Sequence, residues 1–458
     1  MTKRTMLVAL VGCALLGGAC TKTSNDSHYA AVESNREAQA AQPGASVGAS
    51  PSPSPSASAS PSPGASPAAG AAASNYWTNF RGPKRDGRYD ETTVSTNWPS
   101  GGLKQIWKQP VGVGHASFVV ADGKAYTIEQ RRGQEVVAAY DINTGRELWT
   151  QKWNASYTDS TGDGPRATPT WDNGRIYALG ATGELRCLDA NTGSVFWGKN
   201  ILTDNQAQNL QWAMAASPLI VDDKVIVLPG GTSGKSVVAY NKLTGAPVWR
   251  VLNDVQAYVS PMLVDLAGRR QIVVVSSTRV VGLTPEKGEL LWSYNWDTDM
   301  GINVSMPIVV DRNRFFISSG YGKRAALVEV KGTGNSYTAS TVWENKNMKN
   351  KFNSSVLQDG YIYGLDEGIL VCLDVNTGER KWKEGRFGYG QIILTNGHLI
   401  ITSDQGEVAL VKATPDKYTE VARFSAVQGQ TWNYPAIANG RLLVRNSNEM
   451  AAYDISGH

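Results

Sequence analysis

Few residues in this chain are spaced for chemistry. The segment Pro229–Ser236 (Pro-Gly-Gly-Thr-Ser-Gly-Lys-Ser) imitates a phosphate cradle. A working cradle has Gly-x4-Gly-Lys-Ser/Thr between a strand and a helix, so that backbone N–H groups and the Lys converge on phosphate. Here Pro229 stands at the first Gly position and both flanks read as strands, so a hairpin loop is expected. Asp141-x-Asn-x-Gly145 and its relatives have the look of a Ca²⁺ loop, but the twelve-residue frame with its closing Glu is missing, and they read as turns. Asp159–Gly164 is acidic and Gly-rich and reads as a solvated loop, with a bound cation as the alternative. Beyond residue 100 the only histidines are His115, His398 and His458, too few to assemble a zinc site or a catalytic triad readily.

One set of residues is better suited to binding than to catalysis. His115, Arg166, Tyr258, Asn303, Asn353, Tyr389 and Asn433 recur just before apolar runs, with Trp212 and Trp432 close by. Polar groups beside flat rings can hydrogen-bond and stack on a ligand if the fold brings them together. Whether it does depends on the repeating elements that carry them.

Those elements are strands. An apolar run, then Asp or Asn, then Thr-Gly, then Trp recurs at Ala139–Trp149, Cys187–Trp197, Ala239–Trp249 and Cys372–Trp382. A variant lies at Gly282–Trp292, a degenerate copy ends at Trp343, and Val408–Phe424 has lost the Trp. Each copy reads as strand, tight turn, strand, with Gly free to take positive φ and Asp accepting from backbone N–H groups two residues on. A second hairpin precedes each copy, as at Thr170–Tyr177 and Ala436–Leu443, both built on Asn-Gly. Two hairpins per unit give four antiparallel strands, repeated every 40 to 50 residues or so, which is the arithmetic of a propeller. First strands are expected near His115, Ala167, Ala216, Val259, Ser305, Ser354, Gly390 and Tyr434, which makes eight units. The last unit lacks a fourth strand, and Leu103–Lys108, which reaches Trp107 without a preceding hairpin, is expected to supply it and close the ring. The expected fold is therefore all-β: an eight-bladed propeller over residues 103–458, about 44 residues per blade. Closure would remove the open sheet edges that invite aggregation. Cys187 and Cys372 hold equivalent positions in blades 2 and 6, opposite each other, too far apart for a disulfide. Two free, buried thiols are expected.

These repeats resemble the PQQ-like β-propeller family, whose mark is Ala-x-Asp-x-x-x-Gly-x-x-x-Trp. The resemblance covers residues 103–458. It implies that Trp107, Trp149, Trp197, Trp249, Trp292, Trp343 and Trp382 dock each blade on the next. Trp77–Gly87 is similar to a stretch found before such propellers in exported bacterial proteins, and residues 75–102 are expected to cap one face. One branch of the superfamily, the quinoprotein dehydrogenases, binds PQQ with Ca²⁺ on the axis. Another, the propeller lipoprotein of the outer-membrane β-barrel assembly machinery, binds proteins without a cofactor. The chain departs from the first branch: it has no adjacent Cys pair, no Cys-x-x-Cys-His haem motif and no long insertions. It departs from the second in its long Pro/Ser/Ala stretch and its Arg-Gly-Pro segment.

The N-terminus reads as a leader. Lys3 and Arg4 precede an apolar run, Met6–Leu16, too short to span a bilayer, and Gly17-Gly18-Ala19 leads to Cys20. That ending resembles a lipobox, with Cys20 as the expected lipidation site and Cys13, after Leu10-Val11-Gly12, as the alternative. Residues 1–20 are thus expected to be a signal peptide. Residues 21–74 are expected to be a disordered linker rich in Pro, Ala and Ser, a tether holding the ring away from a membrane. A net charge of +4 over 458 residues leaves no nucleic-acid footprint. The expectation is a monomeric, non-enzymatic scaffold without cofactor, reaching the membrane only through its lipid and binding protein partners at the cell envelope. It is placed on the outer membrane facing the periplasm, or otherwise secreted. The alternatives are a PQQ-dependent oxidoreductase using Ca²⁺, and a sensor or binding protein for a sugar or cell-wall ligand.

Overall fold

A computed structural model describes residues 29–39, 76–334 and 336–457. Thirty-two strands form eight four-stranded antiparallel sheets. Blade 1 runs from β2 (Val119–Ala121) through β3 (Lys124–Arg131) and β4 (Gln134–Asp141) to β5 (Glu147–Trp153). Blade 2 runs from β6 (Thr170–Asp172) to β9 (Val195–Asn200), blade 3 from β10 (Leu219–Val221) to β13 (Pro247–Val251), and blade 4 from β14 (Met262–Leu266) to β17 (Leu290–Asn295). Blade 5 spans β18 (Ile308–Val309) to β21 (Ser336–Asn345), blade 6 β22 (Val356–Gln358) to β25 (Arg380–Arg386), and blade 7 β26 (Gln391–Thr395) to β29 (Glu420–Ser425). Blade 8 joins β30 (Ala436–Ala438), β31 (Arg441–Arg445) and β32 (Glu449–Asp454) to β1 (Gln105–Pro110) from the other end of the sequence. Trp107 pairs with Ala452 and Pro110 with Glu449, so the ring is an eight-bladed β-propeller closed by its N-terminal strand.

The first strands begin one to four residues later than the apolar runs predict, at Val119, for example, rather than His115. The residues just before them donate sideways to the neighbouring blade instead of entering a ladder. Ser117 N–H donates to Thr168 Oγ1, Ser217 N–H to Ser260 Oγ and Met306 N–H to Ser354 Oγ, each at 2.9 Å. The apolar core lies between blades. One cluster packs Ile128 and Val137 of blade 1 against Ile176 and Leu188 of blade 2.

The repeat motif works across blade junctions. Asp141 Oδ1 accepts from the N–H groups of Asn143 and Thr144 at 3.0 and 2.9 Å and shapes the turn, and Asp189 does the same in blade 2. Gly145 and Gly193 complete these turns at φ of 73°. An indole from the preceding blade lies over each glycine: a Cβ on Gly145 would sit 2.7 Å from Trp107, and one on Gly193 2.5 Å from Trp149. Trp197 over Gly245, Trp249 over Gly288 and Trp343 over Gly378 repeat the pair. Each of these indoles donates Nε1–H to a turn carbonyl of the next blade, Trp107 to Ile142 at 2.9 Å and Trp343 to Val375 at 2.9 Å. Trp382 donates likewise to Thr414 at 3.0 Å. Trp292 differs. Blade 5 has a long hairpin, β20 (Ala325–Thr333) with β21, in place of the turn, so Trp292 donates within its own blade to Gln271 Oε1 at 2.6 Å and stacks on Phe315 of blade 5 at 5.5 Å.

Residues 76–98 thread from the axis to blade 8. Trp77 pairs with Val120, Trp171 N–H donates to Thr78 O, Tyr89 N–H donates to Leu394 O, and Val94 pairs with Ser456. Residues 29–39 form a helix, α1, with Tyr29 and Val32 buried. Over residues 29–39 this corrects the expectation of a disordered linker across 21–74; the rest of that range lies outside the described residues. The sequence Tyr-Ala-Ala-Val-Glu-Ser-Asn-Arg-Glu-Ala-Gln is rich in helix formers and places Tyr29 and Val32 on one face, three apart. A second short helix, α2 (Ile201–Asp204), is capped by Asn200. Cys187 and Cys372 are free and buried in blades 2 and 6. Cys13 and Cys20 lie outside the described residues.

Candidate functional site

The loops that enter the first strands converge on the axis around a cavity of about 400 Å³. Its walls are aromatic. Phe352 and Trp432 stack face to face at 5.0 Å and 7°, and His115 continues the stack on Trp432 at 5.6 Å. Trp212 and Tyr258 meet at 5.7 Å and also line it. Phe80 reaches it from the N-terminal segment and meets the edge of Tyr434 at 5.0 Å. The cavity is therefore a cup whose base includes part of residues 76–89.

Two arginines hold that segment in the axis. Arg85 is 2% exposed. Its Nη1 donates to the carbonyls of Ser217 at 3.1 Å and Pro261 at 2.9 Å, and its Nη2 to Pro218 O and to Thr170 Oγ1 at 3.2 Å. Burial lowers its pKa to about 9, so it stays charged at neutral pH. Arg81, fully buried, donates to Ser355 O at 2.7 Å and lies over the Tyr434 ring at 5.4 Å. One segment thus hydrogen-bonds blades 1, 2, 6 and 7, and reaches the residues before β10 of blade 3 and β14 of blade 4.

The polar groups of the cup are few. His115 has its pKa lowered to about 4, by burial first and then by Arg166 and Arg445, so it is neutral at pH 7. Its Nε2 is buried with no hydrogen-bond partner. Arg166 Nη2 pairs with Asp159 Oδ2 at 2.8 Å, and its guanidinium lies 4.5 Å over the Tyr157 ring. Asp159 Oδ1 is taken by the N–H groups of Thr161 and Gly162, at 2.6 and 3.2 Å, so this loop is a closed turn and not a cation cradle. Tyr321 lines the cup with its pKa raised to about 12 by burial.

Of the residues singled out in the sequence, His115, Arg166, Trp212, Tyr258 and Trp432 line the cup. Tyr389 meets Trp432 and Phe352 edge-on at 6.2 and 5.0 Å without lining it. The three asparagines are structural instead. Asn303 Nδ2 donates to the carbonyls of Ser276, Ser277 and Trp296, Asn353 accepts from Asn350, and Asn433 donates to Gly114 O and Ala116 O. The amide donors of Asn303 and Asn433 are taken by backbone carbonyls and have nothing left for a ligand. Sequence reading missed Phe80, Tyr321 and Phe352. Tyr321 and Phe352 take positive φ of 55° and 40°, unusual for aromatic residues and invisible in a single sequence.

The quinone cofactor that the resemblance implies is a flat tricarboxylate held with Ca²⁺, which requires a cluster of oxygen ligands. The only charged side chain lining the cup, Arg166, is already paired. Among the described residues no group of three or more His, Cys, Asp and Glu is placed to hold a metal. The lining does not fit that cofactor. The Pro229–Ser236 segment is a loop between β11 (Lys224–Val227) and β12 (Val237–Asn241), closed by a Gly231–Lys235 bridge.

The blades, the docking indoles and the axial cup define a PQQ-like β-propeller. Within that class, residues 132–384 match the family described as outer membrane protein assembly factor BamB, and the chain belongs to it. It is similar to the Yersinia pestis protein of that name, 21% identical over 315 residues, covering 64% of this chain and 75% of the relative. The crystal structure of BamB from Moraxella catarrhalis superposes with a TM-score of 0.55 at 18% identity, over 78% of this chain and 98% of that one. The quinohemoprotein alcohol dehydrogenase of Pseudomonas putida superposes with a TM-score of 0.60 at 14% identity, over 84% and 81%. At these identities the two structures establish shared fold only.

Proposed function

We propose that the chain is a non-enzymatic, protein-binding propeller scaffold of the cell envelope, anchored through a lipid on Cys20. Family membership supports this reading, and one structural observation carries it further. The outer strands of blades 2 to 5 expose apolar side chains: Val195 and Phe196 on β9, Val248 on β13, Leu290 on β17 and Val342 on β21, each 43% to 48% exposed. An open strand edge with apolar residues beside it is suited to an extended partner segment adding a strand. No helix among the described residues is long and apolar enough to cross a membrane. The test is a photo-crosslinker placed at Val248, Leu290 and Val342 in cells. Adducts with envelope proteins at these sites, and none at Lys84, exposed in the axial segment between Arg81 and Arg85, are the expected result. Equal labelling at all four sites would sink the reading.

A second reading rests on the cup. The aromatic lining of the cup and the partnerless Nε2 of His115 suit a small ligand with a flat apolar face, such as a sugar ring, that offers one hydrogen bond. A thermal-melt titration with cell-wall sugars and, separately, with PQQ and Ca²⁺ distinguishes the options. A saturable rise with a sugar supports this reading. A rise only with PQQ and Ca²⁺ would return the oxidoreductase to consideration despite the donor set.

A further inference from the structure

Helix α1 lies along the outer edge of blade 1. Val32 is 4% exposed, and the polar contacts are specific. Arg36 Nε is 2.7 Å from Glu147 Oε1, and Glu33 pairs with Arg132. Asn35 Nδ2 and Gln39 Nε2 both donate to Gln109 Oε1, at 3.1 and 2.6 Å, and Glu147 N–H donates to Gln39 Oε1 at 3.2 Å. Glu147 in turn pairs with Arg131 at 2.8 Å, so Arg36 completes a charged cluster that the blade already holds in place.

The two ends of α1 reach opposite faces of the ring. In each blade the first strand leaves the cup, and the Asp-to-Gly turn before the outer strand lies on the other face. Gln39 touches Glu147, the first residue of β5, directly after the Asp141–Gly145 turn. Tyr29 shares a cleft with Gln130, Ser156, Thr158 and Asp163, the loop whose Thr161 lines the cup. Eleven helical residues rise about 16 Å, close to the height of a five-residue strand. Tyr76 re-enters on the face away from the cup, where it bonds Asp122 in the turn after β2. Gln39 and Tyr76, the described residues on either side of the Pro/Ala/Ser stretch, thus lie toward one face, and Tyr29 lies toward the other.

We propose that α1 is a strap that sets which way the ring faces: with a lipid on Cys20, the mouth of the cup points toward the membrane. This rests on the anchor reading above. Cys20 is nine residues from Tyr29, a reach of about 30 Å at most. A tether running unbroken to Tyr76 would instead allow well over ~100 Å and any orientation. On this reading the spacer to the membrane is the short segment before Tyr29 and not the long low-complexity stretch after Gln39.

The test uses the full-length protein isolated from membranes and returned to vesicles carrying a headgroup quencher. A fluorophore is placed on Met300→Cys, 67% exposed at the cup rim, or on Lys84→Cys on the opposite face. The native thiols of the ring, Cys187 and Cys372, are buried and stay unlabelled. The Met300 site should be quenched several-fold more than the Lys84 site. Val32→Asp, which alters the strap and not the ring, should abolish that difference and speed tryptic cleavage at Arg36. The mass of the isolated chain reads the lipid independently. An unlipidated Cys20 overturns the anchor and the orientation together. A lipidated chain with equal quenching at the two sites overturns the orientation alone.

Discussion

At the rim, blade after blade lays an indole on a glycine of its neighbour and donates one hydrogen bond to a turn carbonyl. Along the axis the blades present a mixed set of side chains, with no motif shared by all of them. The rim therefore divides the work of closure into small equal parts, and the axis concentrates it. Arg85 alone engages the backbones before β10 and β14 and the first residue of β6. The difference teaches where change is tolerated. A rim junction can lose its motif, as blade 7 has with Phe424, which packs on Tyr453 at 5.0 Å and Trp98 at 5.9 Å instead. The axial arginines have no such understudy.

Four experiments press on that contrast. Trp107→Ala should be the most damaging rim change, lowering unfolding free energy by about 3–5 kcal/mol in denaturant melts, since it empties a buried indole site at the junction that closes the ring. A loss no greater than for an exposed side chain would mean that β1 pairing alone holds the ends. Arg85→Ala should cost about 2–4 kcal/mol by leaving the carbonyls of Ser217 and Pro261 without this donor in a buried site. Arg85→Lys should recover only part, because one ammonium cannot span the same acceptors. Gly193→Ala should cost about 1–3 kcal/mol, for the strained φ and for the contact with Trp149. The mildest effect concerns pH. The folded pKa of His115, about 4, lies below the value of about 6.5 in an unfolded chain. On acidification the unfolded state takes up that proton first. The stability His115 contributes is therefore complete above pH ~6.5 and is lost as pH falls toward ~4. His115→Gln should flatten the dependence of Tm on pH over that window relative to wild type, and an unchanged slope would mean that the ring nitrogen is not shielded from water.

The same contrast explains what could be read in the sequence. The rim is periodic, so eight copies of one pattern announce themselves, and even the closing role of Leu103–Lys108 follows from counting. The cup is assembled once, from single residues hundreds of positions apart, so only its position could be foreseen. His115, Trp212 and Trp432 were legible because they precede first strands. Asn303, Asn353 and Asn433 share that position yet bond neighbouring protein groups, backbone for Asn303 and Asn433 and the Asn350 side chain for Asn353, a difference set by loop geometry. Phe80 was hidden because nothing in a linear reading places it under the cup. Helix α1 was missed because eleven helix-forming residues next to a Pro/Ala/Ser tract inherit the reputation of the tract.

The pairing of β1 with β32 also sets a timetable. Some 340 residues separate Gln109 from its partner Met450. At a ribosomal pace of about 5–20 residues per second, the first strand of the ring waits on the order of twenty seconds to a minute before its partner exists. Until then blade 8 is one orphan strand at the start of the chain and nothing at the end. Its apolar edge must be kept from pairing elsewhere during that interval. In the finished molecule β1 is paired along β32, so this hazard belongs to biogenesis, and a chain stalled or clipped before β32 would carry it permanently.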